Sequence, residues 1–241
     1  MPPWVLPVVA APFVGSFLGV VIRRLPSGRP IIWDRSRCEA CGAALGAAEL
    51  VPVASYVIQR GRCRRCGAQI ATAHLLVELA ATAIAIWAAM DARVWWSCGL
   101  GWTLLALAWI DMEHLRLPDA LTLPLVLGGL AAALALDPAA APSHAAAAAI
   151  GYLAFSGLAA AYRALRKREG LGGGDAKLLA AAGAWVGMAG LPTIVVGGAV
   201  MTLAATAMAR LGGRTISGAT RIPLGPGLCA ALWLVWLYGG L

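Results

Sequence analysis

Two aspartates carry the clearest chemical signal in this chain, because each lies at the edge of a long apolar run. Asp111 ends the run from Val94 to Ile110, and Asp175 opens another directly after Gly172-Gly173-Gly174. A carboxylate within a bilayer-spanning helix costs about 2.5–3.5 kcal/mol on insertion scales, so such residues usually face a protein interior or a water-filled cavity. Two of them at the same predicted depth suggest a carboxylate pair that performs acid–base chemistry at a membrane surface.

Such a pair would have the chemistry of an aspartic protease. Two adjacent carboxylates share a proton, so one accepts a proton from water while the other donates to the substrate carbonyl. We therefore expect Asp111 and Asp175 to be catalytic. Gly172 and Gly174 give the backbone freedom before Asp175, and irregular backbone at membrane depth is tolerated where it lines a cavity. With Lys177, these glycines are expected to form the active-site loop, although snorkelling of Lys177 to the interface is favoured over catalysis.

A simpler interpretation is that each aspartate caps a helix or meets water at the interface. For Asp175 alone the two interpretations have similar weight. For Asp119, which follows Pro118 and precedes an apolar run, capping is preferred.

The elements that position these residues are apolar helices. The chain has 241 residues, of which 61% are hydrophobic and 12% charged, whereas a soluble domain is nearer half apolar and a quarter charged. A hydrocarbon core of about 30 Å needs roughly 20 helical residues. We predict an all-α polytopic membrane protein with eight transmembrane helices, and we place the turn between the sixth and seventh at Gly190 and Pro192. The predicted spans are 4–22, 75–90, 94–110, 120–136, 144–162, 175–189, 191–209 and 222–240.

The distribution of positive charge supports this topology. Of the 19 Lys and Arg residues, all but Arg93 fall on one side of eight alternating spans. The positive-inside rule makes that side cytoplasmic, with both termini outside. The net charge of +8 is thereby explained without nucleic acid, which we do not expect as a partner. Because no charge precedes the first span, we expect it to remain as a helix rather than to be a cleaved signal.

The segment between the first two spans, residues 23–73 and here named the Cys loop, has metal-ligand spacing. It contains Cys38-Glu-Ala-Cys41-Gly and Cys63-Arg-Arg-Cys66-Gly. Four thiolates from two such turns can enclose a tetrahedral ion, usually zinc. A loop this small buries little core, so a structural metal would stabilise it. A redox pair or four unrelated thiols is the alternative.

The predicted organisation therefore has three parts: a first transmembrane helix (1–22), the cytoplasmic zinc-binding Cys loop (23–73) and a transmembrane peptidase bundle (74–241). Cys98 and Cys229 lie inside predicted spans, and we interpret them as small core residues.

Five stretches in order resemble the type IV prepilin peptidases, which are bacterial intramembrane aspartic proteases. They are Gly15-Ser-Phe-Leu-Gly-Val-Val-Ile-Arg-Arg-Leu-Pro26, the Cys loop from Ser36 to Ile70, Trp109-Ile-Asp111-Met-Glu-His-Leu-Arg-Leu-Pro-Asp119, Gly172-Gly-Gly-Asp175-Ala-Lys177, and Pro223-Leu-Gly-Pro-Gly-Leu228. The match covers nearly the whole chain.

The resemblance implies the substrate and the location. Family members cut the basic leader from type IV prepilins and from pseudopilins of type II secretion, at the cytoplasmic face of the bacterial inner membrane. By motif, Asp111 and Asp175 match the catalytic pair. Many members also methylate the new N-terminus with S-adenosylmethionine, an activity associated with the N-terminal half.

Departures from the family pattern cluster in that N-terminal half. Gly19 stands where Asn is common, Glu39 where Pro is common, Glu49 where Asn is usual, and Ala73-His74 where Tyr-Pro is usual. These departures leave proteolysis untouched and leave methylation open.

Two other classes of protein remain as alternatives. An ion-coupled transporter also places aspartates in its spans, but usually near the midplane and without zinc knuckles. A non-catalytic scaffold would use the Cys loop to recruit partners.

Overall fold

The computed structural model describes residues 2–167, 172–213 and 220–239. Arg168 and Arg214, two of the cations in the charge pattern, and Gly240, the end of the last predicted span, lie outside these ranges. The predicted all-α class is confirmed: the described residues contain helices and two isolated β-bridges, with no strand. The chain divides into two compact units, residues 1–106 and 107–241, and each is considered by itself.

The helices follow the predicted apolar runs. They are α1 (Val5–Arg24), α2 (Ala54–Ile58), α3 (Thr72–Ala88), α4 (Val94–His114), α5 (Asp119–Leu136), α6 (Ala141–Arg166), α7 (Gly173–Leu211) and α8 (Gly225–Tyr238), with a short 3-10 helix at Ala47–Leu50. Four of them, α1, α5, α6 and α7, are long and apolar enough to cross a membrane, and α3 and α8 are shorter apolar helices. The molecule is therefore a multi-pass membrane protein by length and composition, while the count of eight spans stays a prediction.

Helix α7 reverses direction at Gly187. This residue has φ +68° and ψ −168°, a conformation open to glycine and strained for other residues. Helix α8 contacts both halves of α7, because the Cys229 thiol interacts electrostatically with Asp175 and Gly227 packs against Thr202. In a straight helix Asp175 and Thr202 would be about 40 Å apart. The two halves of α7 therefore fold back on each other and correspond to the sixth and seventh predicted spans.

The position of this turn differs from the sequence prediction. Gly190 and Pro192 were expected to form it, but both lie within the helix that follows Gly187. Pro192 is the fifth residue after Gly187, beyond the first turn of that helix, so proline does not end the helix here. Gly190 fits because a Cβ on it would lie 2.5 Å from the Val186 side chain.

In the second unit, glycines let the helices around α7 approach closely. A Cβ on Gly183 would lie 2.5 Å from the backbone of Ala147, and one on Gly151 would lie 2.8 Å from the carbonyl oxygen of Leu179. The order of these contacts makes α6 antiparallel to the first half of α7. Small residues at such contacts are typical of helix packing in membranes.

In the first unit, α1 packs on α3. Gly15 lies against the backbone of Glu78, where a Cβ would come within 2.6 Å of the Glu78 Cα. The indole of Trp102 in α4 donates a hydrogen bond of 3.0 Å to the carbonyl oxygen of Ala81 in α3. These contacts hold the helices from which the Cys loop emerges.

Candidate active site and metal centre

Asp111 lies in the last turns of α4 and is buried, with 6% of its surface exposed. Its Oδ2 accepts a hydrogen bond of 3.0 Å from the backbone N–H of Gly225, the first residue of α8. A Cβ at position 225 would lie 2.6 Å from the same oxygen. Only glycine therefore lets the α8 backbone approach this carboxylate so closely.

Asp175 lies in the first turn of α7 and is half-buried. Its backbone N–H donates to the carbonyl oxygen of Gly172 at 3.1 Å, which closes the turn that precedes the helix. A Cβ on Gly172 would lie 3.3 Å from Asp175 Oδ2, so this glycine borders the carboxylate. Gly174 packs against buried Leu117, where a Cβ would lie 2.8 Å from the Leu117 Cβ. The glycine turn thus fits between the Asp175 carboxylate and Leu117, in the segment that joins α4 to α5.

The structure brings the two predicted aspartates together. The carboxylates of Asp111 and Asp175 interact electrostatically with each other, and both interact with the buried thiol of Cys229 in α8. Three helices, α4, α7 and α8, therefore converge on one acidic site. An adjacent carboxylate pair can activate water by general acid–base chemistry.

Asp119 does not cap α5, contrary to the prediction from the sequence. Pro118 occupies the N-cap position of α5, and the Asp119 side chain makes no cap hydrogen bond. The Asp119 carboxylate instead forms an ion pair with the Lys177 ammonium group. This pair connects the first turns of α5 and α7 and holds the Lys177 ammonium group beside Asp119.

A cavity of about 870 Å³ lies next to the buried aspartate in the second unit. Met112 follows Asp111 in α4, and Pro226 and Gly227 follow Gly225 in α8; all three line the cavity, together with Thr202 and Thr206 of α7. Within the described parts of the chain, the Thr202 hydroxyl is buried and has no hydrogen-bond partner. The cavity is large enough for several apolar side chains, and the Thr202 hydroxyl lies at its wall.

The four cysteines of the Cys loop converge. Their sulfur atoms all lie within 4.8 Å of one another, and Sγ of Cys38 is 3.8 Å from Sγ of Cys66. With Zn–S bonds of about 2.3 Å, the edge of a tetrahedral S4 site is about 3.8 Å. The donor set therefore fits zinc. Backbone N–H groups of Cys41 and then Ala40 lower the pKa of Cys38 to about 6. The backbone N–H of Ala68 lowers the pKa of Cys66, but burial and the neighbouring thiols outweigh it and raise that pKa to about 11.

The two Cys-x-x-Cys turns have the same backbone geometry. In each turn the first cysteine donates at 2.8 Å to a carbonyl five residues on, in Ala43 and in Ala68. In each, the following glycine donates at 2.9 Å to the carbonyl of that first cysteine. These glycines have φ +69° and +70°. Two copies of one hairpin thus supply two thiols each.

Sequence reasoning missed the role of Gly225. Cys98 and Cys229 are buried, as expected of small core residues, and Cys229 in addition lies near the two carboxylates. The stretch Pro223-Leu-Gly-Pro-Gly-Leu228 carries a signal for Gly225, but nothing in its sequence connects it to Asp111. No local pattern marks Cys229, because its place beside the carboxylates arises from the packing of α8 on α7.

Comparisons with known proteins agree with this geometry. A model described as the bacterial peptidase A24 N-terminal domain matches residues 9–92, and a model of the type IV leader peptidase family matches residues 98–207. Three similar proteins are named prepilin leader peptidase/N-methyltransferase. They come from Dichelobacter nodosus (36% identical, 94% of this chain and 88% of that protein), Pseudomonas aeruginosa (34%, 94% and 87%) and Burkholderia pseudomallei (38%, 90% and 79%). No solved structure matches the chain significantly.

Proposed function

The chain belongs to the type IV leader peptidase family, and on that premise we propose that it is an intramembrane aspartic endopeptidase. Its substrates are type IV prepilins or type II secretion pseudopilins, from which it removes the basic leader peptide. The observation that carries the proposal is the convergence of Asp111 and Asp175 beside the N-terminus of α8.

The site supports a division of labour within the pair. The Gly225 N–H occupies Oδ2 of Asp111, which leaves Oδ1 for a proton or a water molecule. One carboxylate accepts a proton from the attacking water, and the other donates a proton to the oxygen of the scissile carbonyl. The turn from Gly172 to Gly174 carries no side chains, so an extended substrate backbone can approach Asp175 from that side.

The neighbouring cavity fits the apolar part of the substrate. Its Met, Pro and Ala side chains suit the hydrophobic segment that follows the cleavage point in the proposed substrates. The Thr202 hydroxyl is available to a substrate carbonyl or N–H group.

We assign the site to the cytoplasmic face of the bacterial inner membrane, with eight spans and both termini outside. The support is the charge pattern, in which Arg93 is the exception. Arg93 forms an ion pair with Asp91, with 3.1 Å between Nε and Oδ1, so the single cation on the outer side is locally neutralised.

The Cys loop is assigned a structural zinc ion held by Cys38, Cys41, Cys63 and Cys66. Four protein ligands leave no open position on zinc, so the ion would stabilise the loop and take no part in cleavage. The domain boundaries at 22 and 73 are part of the same proposal.

N-methylation with S-adenosylmethionine is the second candidate activity, since the names of the relatives include N-methyltransferase and the N-terminal family model matches.

Three residues that depart from the family pattern, Gly19, Glu39 and His74, lie close together in the first unit. A Cβ on Gly19 would lie 3.4 Å from Nδ1 of His74, and Arg23, which interacts with His74, forms an ion pair with Glu39. Mass spectrometry of the mature substrate's N-terminus reports the cleavage position and methylation together.

Leader release from a prepilin by the detergent-solubilised protein tests the peptidase. Asp111→Asn and Asp175→Asn keep the side-chain shape and should each lower the rate by about 10²–10⁴-fold, the usual contribution of a general acid or base. Asp137→Asn, at the C-cap residue that follows α5, is the matched control and should keep full activity. If both site variants still cleave, the pair is not catalytic, and proton uptake in liposomes would instead support a transporter.

A further inference from the structure

The Cys loop exposes two apolar tips. The first apolar tip is Ile32 and Trp33, which are 78% and 90% exposed. The second apolar tip is Val57 and Ile58 at the end of α2, which are 63% and 69% exposed. Large apolar side chains are rarely presented to water in pairs without a partner surface.

The first apolar tip is fixed to the end of α1 by one buried arginine. The Arg24 guanidinium donates to the carbonyl oxygens of Pro30, Ile31, Asp34 and Arg35, at 3.0, 3.4, 2.7 and 3.4 Å. The backbone from Pro30 to Arg35 curves around the guanidinium, and Ile32 and Trp33 in its middle are exposed. Helix α1 is apolar and long enough to cross a bilayer, and a membrane-spanning α1 would hold this tip at the level of the interface.

The second apolar tip is tied to α3 in a different way. The backbone N–H of Val53, just before α2, donates to Oε2 of buried Glu78 at 2.7 Å. Glu78 lies six residues after Thr72, where α3 begins, which is about 9 Å along the helix. Val53 has φ +59°, which is unfavourable for a β-branched residue and is held by this hydrogen bond. The bond anchors α2 beside the first turns of an apolar helix.

Arginines surround both tips. Exposed Arg29, Arg35 and Arg37 flank the first tip, and exposed Arg60, Arg62, Arg64 and Arg65 follow the second. Tryptophan and aliphatic residues beside arginines are typical of segments that lie in the headgroup region of a membrane. Arginine side chains in such segments are attracted to anionic lipids.

We propose that the two apolar tips insert into the headgroup region of an anionic bilayer, so that the Cys loop rests on the membrane surface. A lipid surface is favoured over a protein partner because each tip is tied to an apolar helix, which places it at interfacial depth. The proposal requires α1 to span the membrane and stands without the peptidase activity.

Tryptophan fluorescence of the full-length protein in lipid vesicles tests the proposal. The difference between wild type and Trp33→Phe gives the emission of Trp33 alone, and Trp233→Phe, at a buried α8 position, is the matched control. We expect the Trp33 emission to be largely lost with lipids brominated near the headgroup end of the acyl chains and to resist aqueous iodide. The Trp233 emission should resist iodide whichever lipid is used.

The lipid charge and the second apolar tip are tested in the same way. Adding phosphatidylglycerol to phosphatidylcholine vesicles should increase quenching of Trp33 by brominated lipid, and an Arg29→Gln, Arg35→Gln variant should lose that increase. Ile58→Trp in the Trp33→Phe background reports on the second tip. Iodide access to either indole, without quenching by brominated lipid, would overturn the proposal and indicate a surface open to a protein partner.

Discussion

The cysteine cluster and the aspartate pair are both groups of titratable side chains, but they are assembled differently. The four cysteines come from two copies of one short hairpin, and each hairpin is closed by hydrogen bonds among near neighbours. The aspartates come from α4 and α7, and the N–H group that contacts Asp111 comes from α8. The first site is made by local turns, whereas the second is made by helix packing.

This difference determines what each site depends on. Cys41 and Cys66 are exposed, and the Cys loop has few buried apolar residues, so the proposed zinc ion would be its main source of stability. The aspartates are surrounded by closely packed helices, so their positions depend on how near two backbones can approach. A lost ligand should therefore damage the first site, and one added methyl group should damage the second.

Of the substitutions that test this difference, Cys63→Ser should have the largest effect. Cys63 is the buried member of the cluster, and a hydroxyl is a poor zinc ligand. We expect zinc content to fall from one ion per chain to none, and the Cys loop to become sensitive to protease. Metal analysis and limited proteolysis measure this, with Cys98→Ser, in α4, as the control. Zinc retained by the Cys63 variant would show that the cluster is not an S4 metal site.

Gly225→Ala should disturb the aspartate pair by steric contact alone. The added Cβ would lie 2.6 Å from Asp111 Oδ2 and would displace the carboxylate or the start of α8. Misplacement by about 1 Å can cost about 10²-fold in rate, which we expect for kcat in leader release. Gly157→Ala in α6, where nothing lies within 4 Å of the added Cβ, is the matched control. Equal rates for the two variants would show that the contact between Gly225 and Asp111 does not matter for cleavage.

Lys177→Met should have the smallest effect. The ion pair with Asp119 is partly exposed, with 32% and 58% of the two side chains accessible, and such pairs contribute about 0.2–1 kcal/mol. We expect kcat to stay within a few-fold of wild type, with a slightly lower thermal midpoint. Asp119→Asn should match it, because both variants break one pair. A loss of about 10²-fold in Lys177→Met alone would instead give Lys177 a role in general acid–base chemistry.

The part of the molecule that follows local rules could be predicted from the sequence. The apolar runs predicted the helices because about 20 apolar residues must satisfy their own backbone hydrogen bonds in a bilayer. The spacing from Cys38 to Cys66 predicted a four-thiol cluster because the hairpin geometry is fixed within each Cys-x-x-Cys-Gly stretch.

The contacts that depend on packing could not be predicted in the same way. The position of Asp119 before an apolar run predicted a helix cap. The carboxylate forms an ion pair with Lys177 instead, and the two side chains meet only because α5 packs on α7. Proline as a common helix breaker predicts the turn at Pro192, yet the positive φ of Gly187 makes the turn and Pro192 lies inside the helix that follows. The contact of Gly225 with Asp111 joins segments that no local pattern relates.

The reversal at Gly187 has a consequence for biogenesis. The helical segment before it, residues 173–186, is about 21 Å long, well short of a hydrocarbon core of about 30 Å, and it begins with charged Asp175 and Lys177. The longer apolar segment after Gly187 follows without an intervening polar loop. Both halves can therefore enter the bilayer as one hairpin during synthesis, and the second half supplies the hydrophobicity that the first half lacks.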